Sequence, residues 1–233
     1  MAKKANIKEQ APEQVIDNAL VETESYFEKN WKKLTIALVV VLLAVGGWFV
    51  YSNVYVKGES EKASSAMFVA QQLFAEEQWE NALNGDGTCA GFLEIIENYG
   101  NTPEGNIANY YAGICYFKSG DMENAKKYLA EYSATKGSPN TIINAQCYGL
   151  QGDILTDEGN YTEAVEMYKK AVEAADNVLT TATYLKKMGL VYEAMENYTE
   201  ALNAYETIKE NYPTSIEGRD IQKYIGTIEQ KLQ

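Results

Sequence analysis

Histidine is absent from the 233 residues, and arginine occurs once, at Arg219. Without an imidazole the chain cannot build a Ser-His or Cys-His nucleophilic pair or a histidine-containing zinc site. Cysteine is sparse: Cys89, Cys115 and Cys147 show no CxxC spacing, and an odd number cannot all pair within one chain. They read as small buried hydrophobes, with a single Cys115–Cys147 bridge as the alternative. No metal or cofactor is expected. The 4 prolines and 17 glycines are too few for a collagen-like or proline-rich disordered chain, so a folded domain is expected. Positive charge is scarce too: the formal charge is −13, and residues 58–233 set 13 Lys and Arg against 27 acids. Such a surface repels phosphate backbones, which excludes nucleic-acid binding. The carboxylates fall on helix faces at solvated spacings, with no phosphate loop or nucleophile beside them, and the chain reads as no enzyme.

What is present begins with a long apolar run. Between Lys33 and Lys57 lie 23 uncharged residues, Leu34 to Val56, with a solid core from Leu34 to Val50. As a helix rising about 1.5 Å per residue this covers about 34 Å, enough for a hydrocarbon layer of about 30 Å. Trp31 precedes the run, and Trp48, Tyr51 and Tyr55 follow its core, the aromatic pattern of both membrane interfaces. The run lies too far from the N-terminus for a signal peptide, and Gly46-Gly47-Trp48 leads into bulky residues rather than a small-x-small cleavage site. Lys3, Lys4, Lys8, Lys29, Lys32 and Lys33 precede the span, against Lys57 and Lys62 just after it. That bias places the N-terminus in the cytoplasm and the remainder outside. Before the span, Glu13 to Lys33 gathers Val15, Ala19, Leu20, Tyr26, Phe27 and Trp31 loosely on one side. It reads either as an amphipathic helix or as a solvated tail that turns helical only near the bilayer.

Downstream, three segments share one register. Gly113, Gly152 and Gly189 are each followed three residues later by Tyr116, Leu155 or Tyr192, and twelve residues later by Ala125, Ala164 or Ala201. Four residues further on stand Leu129, Tyr168 and Tyr205, on the alanine's face of a helix. The spacing predicts helix-turn-helix packing, in which Gly and Ala admit close approach and the large residues fill the space beside them. Asn160-Tyr-Thr-Glu163 and Asn197-Tyr-Thr-Glu200 read as capping boxes, with Asp121 in the same place of the first unit. Both Asn-Tyr-Thr triplets also fit a glycosylation sequon, but capping accounts for them and no glycan is assigned. A degenerate earlier unit shows in Phe92–Tyr99, which parallels Tyr205–Tyr212, each followed by a turn ending Glu-Gly, at Gly105 and Gly218. Its first helix is expected from Glu59 to about Gln78, with the loop Asn84–Gly87 separating the pair's two helices. Ser215 to Leu232, with Ile221, Tyr224, Ile225 and Ile228, is expected to close the stack.

The pattern G-x2-Y, then A-x3-Y/L, with Pro213 ending the last unit, resembles the tetratricopeptide repeat over residues 106–214. It departs where that repeat has Trp and Leu, having Asn109 and Ala112, Tyr148 and Gln151, and Leu185 and Met188. Glycine spacings of 39 and 37 residues predict longer turns between units. The resemblance implies an all-α fold: a tetratricopeptide-repeat solenoid of about four helix pairs plus a capping helix, after one transmembrane helix. The expected segments are a tail (1–33), a span (34–56), a degenerate pair (57–105), three repeats (106–214) and a cap (215–233). With the anchor included, the architecture is similar to the YfgM-type bacterial inner-membrane proteins. That likeness implies a periplasmic repeat domain ancillary to the translocon and to periplasmic chaperones. The stretches MFVAQQLF, ALNGDG and GNIANYYAGICY further resemble anchored repeat proteins of Bacteroidetes-type bacteria.

In a repeat stack the first helix of each pair lines the concave face. The candidate peptide groove is therefore Tyr110, Ile114 and Phe117, Asp153 with Gly149 and Thr156, and Lys186 and Leu190 with Glu193. Tyr110, Ile114 and Phe117 also suit packing against the degenerate first unit, as helix-spaced aromatics usually do. The expected partners are other proteins or peptides: translocon subunits, periplasmic chaperones or secreted chains. The alternative is a self-assembling envelope protein, held together through the acidic domain or the Gly46-Gly47 span.

Overall fold

The computed structural model describes the backbone of residues 12–135 and 141–233, and side chains of 28–52, 54–135 and 142–233. Lys3, Lys4 and Lys8, and the side chains of Val15, Ala19, Leu20, Tyr26 and Phe27, lie outside these ranges. All regular structure among the described residues is helical. The chain divides into two compact units, residues 1–57 and 58–233.

The first unit is helix α1 (Pro12–Val50), followed by a π-helical turn, Tyr51–Val56. From Ile36 to Val50 the large apolar side chains point outward all round: Leu42 is 60% and Leu43 70% exposed. No part of this apolar stretch is buried, and its helix is long and apolar enough to cross a membrane. Past its core, Trp48 and Tyr51 lie 6.3 Å apart, and Tyr51 stacks on Tyr55 at 5.6 Å.

The second unit runs α2 (Lys57–Ala75), α3 (Trp79–Asn84), α4 (Phe92–Tyr99), α5 (Pro103–Lys118), α6 (Met122–Glu131), α7 (Thr141–Asp157), α8 (Tyr161–Ala174), α9 (Thr181–Ala194), α10 (Tyr198–Asn211) and α11 (Ile216–Lys231). Helix pairs α5–α6, α7–α8 and α9–α10 each turn on the same device. The residue before the second helix's cap is left-handed: Gly120, Gly159 and Glu196 have φ of 83°, 77° and 56°. Its N–H bonds to Phe117, Thr156 or Glu193, and the next N–H bonds to Tyr116, Leu155 or Tyr192. This Schellman-type turn satisfies the last carbonyls of the first helix. Glu77 (φ 59°) makes the same turn between α2 and α3, with Glu77 N–H on Phe74 and Gln78 N–H on Leu73.

That turn corrects the expected first pair. Its first helix stops at Ala75, and its second helix is split into α3 and α4; the loop beginning Asn84-Gly85 interrupts that second helix rather than separating the two partners. Ala82 stands four residues after Gln78, as Ala125, Ala164 and Ala201 stand after Asp121, Asn160 and Asn197, and all four alanines are fully buried. Between Ala82 and Phe92 the other units have six residues fewer. The chain closes this excursion where a Cβ on Gly91 would fall 2.3 Å from the Gly85 nitrogen. The turn escaped sequence reading because Glu77 occupies a left-handed position where two of the other units carry glycine.

Close approach fixes the remaining pairs. A Cβ on Gly113 would sit 2.6 Å from Leu129 Cγ, on Gly152 2.6 Å from Tyr168 Cε1, and on Gly189 2.3 Å from Tyr205 Cε1. Each bulky side chain thus lies flat on a glycine of its partner helix, as packing at crystal-like density requires. The capping boxes are only half made. Asp121 accepts from Asn124 N–H (3.0 Å) and Asn197 from Glu200 N–H (3.4 Å), whereas Asn160 makes no cap bond and its amide donates to Glu158. The Asn160 and Asn197 N–H groups, which a glutamate would reach back to, are already bonded to Leu155 and Tyr192.

The two Glu-Gly turns are near copies. Thr102 and Ser215 each cap a helix by accepting from Gly105 or Gly218 N–H, and each hydroxyl donates to the carbonyl of Tyr99 or Tyr212. The links between α6 and α7 and between α8 and α9 are longer, as the wide glycine spacings require. In the second of these, Asn177 accepts from the N–H groups of Leu179 and Thr180. Ile221, Ile225 and Ile228 of α11 are buried against the last pair, closing the core.

Candidate functional site

First helices α5, α7 and α9 come together around a cavity of about 400 Å³. Phe117 from α5, Asp153, Thr156 and Asp157 from α7, and Lys187, Leu190, Val191 and Ala194 from α9 line it, with Tyr161 and Tyr168 from α8. The site has an apolar part and a polar floor. Leu190 is 44% exposed, and Phe117 and Tyr161 are half-buried. On the floor, Lys187 Nζ lies 2.7 Å from both carboxylate oxygens of Asp153. Tyr168 donates to Asp153 Oδ1 at 2.8 Å and lies 3.1 Å from the Thr156 hydroxyl. Tyr184 stacks on Tyr168, with ring centroids 6.3 Å apart. A half-exposed ion pair is worth about 1 kcal/mol or less, so Asp153–Lys187 orients the floor more than it stabilises the fold.

Four of the sequence-selected groove residues, Phe117, Asp153, Thr156 and Leu190, meet here. The others do not. Tyr110 is 7% exposed, and its hydroxyl donates to Gln146 across to α7. It is a packing residue, because the ring is covered by Tyr111 and Tyr132. Ile114 is half-buried in the same apolar cluster, and Lys186 Nζ sits 4.6 Å over the Tyr224 ring. Contact with the degenerate first helix pair falls instead to Tyr111, which stacks on Phe92 at 5.1 Å and meets Phe74 edge-on at 5.0 Å. Glu193 accepts from Tyr205 at 2.6 Å and pairs with Lys231 at 3.5 Å.

Sequence reading missed Lys187, Asp157 and Tyr161. A usable signal was present. Where the second helix supplies Tyr168 or Tyr205, the residue four after the glycine is polar, Thr156 or Glu193, and lies within hydrogen-bond distance of the phenol. Where it supplies Leu129, that residue is Phe117, in the same apolar cluster. This co-variation marks the apolar end of the groove.

Burial raises the phenols of Tyr110, Tyr168 and Tyr205 above their ordinary range, and pushes Tyr184 up to about 12. The Cys115 and Cys147 thiols are pushed up to about 12 by burial, and both cysteines and Cys89 are free. Both buried sulfurs are therefore protonated, inert groups at neutral pH. No cluster of three or more metal-ligating side chains occurs among the described residues. The site offers an apolar wall beside a carboxylate neutralised by Lys187.

Helix pairs turned by one repeated device, with first helices lining a groove, define a helical-repeat binding module. Residues 108–134 and 141–214 match models of the tetratricopeptide repeat, and the unit is an all-helical tetratricopeptide-repeat solenoid. A tetratricopeptide-repeat-containing protein of Methanocaldococcus jannaschii is 25% identical over 189 residues, 69% of this chain. The match spans 30% of that longer relative. Among solved structures, the MamA protein aligns with a TM-score of 0.53 at 17% identity, covering 73% of this chain and 90% of that one. Tetratricopeptide-like repeats of a Podosopora anserina kinesin light chain also align at 0.53, with 14% identity, covering 73% of this chain and 86% of that one. These structural likenesses bear on fold alone.

Proposed function

We propose that this chain is a membrane-anchored scaffold that binds other polypeptides in the α5–α7–α9 groove, with its repeat unit in the periplasm of a bacterial inner membrane. The groove carries the reading: three successive first helices present Phe117, Leu190 and the Asp153–Lys187 pair to one cavity of about 400 Å³. That volume lies within the range of about 300–1,000 Å³ usual for sites that take small molecules. Tetratricopeptide repeats bind proteins or peptides as a class, which supports a scaffold over a catalyst. The exposed apolar surface of α1 supports a single-pass anchor, and the lysines before it favour a cytoplasmic N-terminus. A role beside secretion or chaperoning is what the YfgM-type resemblance implies.

Crosslinking the full chain in its native membrane, followed by mass spectrometry of the captured proteins, tests this. Translocon subunits, periplasmic chaperones or secreted chains are the expected catch. Recovery of its own chain alone would replace the scaffold reading with self-assembly.

A further inference from the structure

Resting on the groove reading above, we propose that the occupant is a cationic apolar segment: extended polypeptide with lysine or arginine beside an aliphatic or aromatic side chain. The apolar half of the recognition is the wall of Phe117, Tyr161, Leu190 and Ala194. The charged half follows from which ions are already used. Lys187, the one cation among the described residues lining the cavity, is held at 2.7 Å by both oxygens of Asp153, so its charge is neutralised within the floor. Asp157 lines the same cavity, is exposed, and forms no salt bridge among the described residues. The net charge offered to an occupant is negative.

The surroundings reinforce that sign. Residues 58–233 carry 13 basic against 27 acidic side chains. Five of those lysines are taken by ion pairs, and three more, Lys127, Lys170 and Lys186, lie over tyrosine rings. The excess field is therefore carboxylate, which draws a cationic segment toward the groove and repels an acidic one. An acidic C-terminal peptide, which needs clustered lysines and arginines, finds none here.

The test uses the full chain in zwitterionic nanodiscs and fluorescent Gly-Ser peptides bearing paired Leu-Lys, Leu-Glu or Ser-Lys residues, titrated by anisotropy. The Leu-Lys peptide is expected to bind about tenfold more tightly than Leu-Glu at low salt, since each rim charge pair is worth up to about fivefold and attraction is exchanged for repulsion. Asp157→Asn should remove most of that preference. Leu190→Ser, at an exposed position, should weaken Leu-Lys binding without altering the melting curve. Equal binding of Leu-Lys and Leu-Glu, both lost in Leu190→Ser, would overturn the charge preference and leave the groove standing. Ser-Lys binding as tightly as Leu-Lys would overturn the apolar half. Leu-Lys binding unchanged by Leu190→Ser would remove the groove reading itself.

Discussion

Helix α1 and the helices of the repeat unit both carry many large apolar side chains, and they dispose of them in opposite ways. In α1 the residues from Ile36 to Val50 face outward on every side. In the second helices of the repeats the buried set falls on one stripe: Ala164, Val165, Tyr168 and Ala171 of α8, or Ala201, Ala204, Tyr205 and Ile208 of α10. The difference is one of solvent. A helix apolar all round is stable where its surroundings are hydrocarbon, whereas a striped helix buries its apolar face against a neighbour and leaves the rest to water. On the anchor reading proposed above, α1 depends on a bilayer, and the repeats depend on each other.

Alkali should separate the two most strongly. Tyr110, Tyr168, Tyr184 and Tyr205 are raised above the ordinary value of 10.0, Tyr184 to about 12. Because the folded values lie above the unfolded one, the stabilisation is whole below pH 10 and drains away as pH climbs through the folded values. Each such tyrosine removes up to about 1.4 kcal/mol per pH unit in that window. Circular dichroism of the full chain in nanodiscs should show the repeats melting between about pH 10 and 12 while a helical remainder from α1 persists. Ionisation of all tyrosines near pH 10 with the repeats still folded would contradict the burial.

Next in size is a charge in the anchor. Leu42→Arg puts a cation near the middle of the apolar stretch at a cost of about 2.5–3.5 kcal/mol for insertion. The variant should pass into the soluble fraction on carbonate extraction, with the repeat unit's thermal melt unchanged. In the repeats the sensitive positions are the glycines under bulky rings. Gly189→Ala gains about 1 kcal/mol of helix propensity, yet its Cβ would lie 2.3 Å from the Tyr205 ring. Overpacking costs about 1–3 kcal/mol, so net destabilisation is expected in urea unfolding, partly relieved by adding Tyr205→Leu. The smallest effect is the opposite one. Gly226 in α11 has nothing within 4 Å of a would-be Cβ, and Gly226→Ala should stabilise by up to about 1 kcal/mol.

The repeat register was legible because it depends on sequence-local geometry. A glycine under a bulky residue sixteen positions on, with alanine one turn before that residue, leaves few packing solutions. The apolar helix was legible from its uninterrupted length. The first pair was harder: its turn uses Glu77 in place of glycine, and six extra residues split its second helix. The groove was half legible. Phe117, Asp153 and Leu190 followed from their offsets to the glycines, but the α9 stripe runs through Lys187, Leu190, Val191 and Ala194, one residue from the reading that chose Lys186. A one-residue error rotates a side chain by about 100° around a helix, and only the cross-helix contact with Asp153 fixes it. Tyr110 misled because tyrosines pack as readily as they bind, and its neighbour Tyr111 packs on Phe92 of the degenerate first helix pair.

The most direct test of the central claim places a photo-crosslinking amino acid at position 190 of the full chain in native membranes, and in a second variant at Lys209, an exposed residue of α10. The scaffold account predicts that position 190 captures discrete heterologous polypeptides, that the same products are lost on adding Phe117→Ser, and that position 209 captures none of them. Identical products from both positions, or none but the chain itself from position 190, would contradict it.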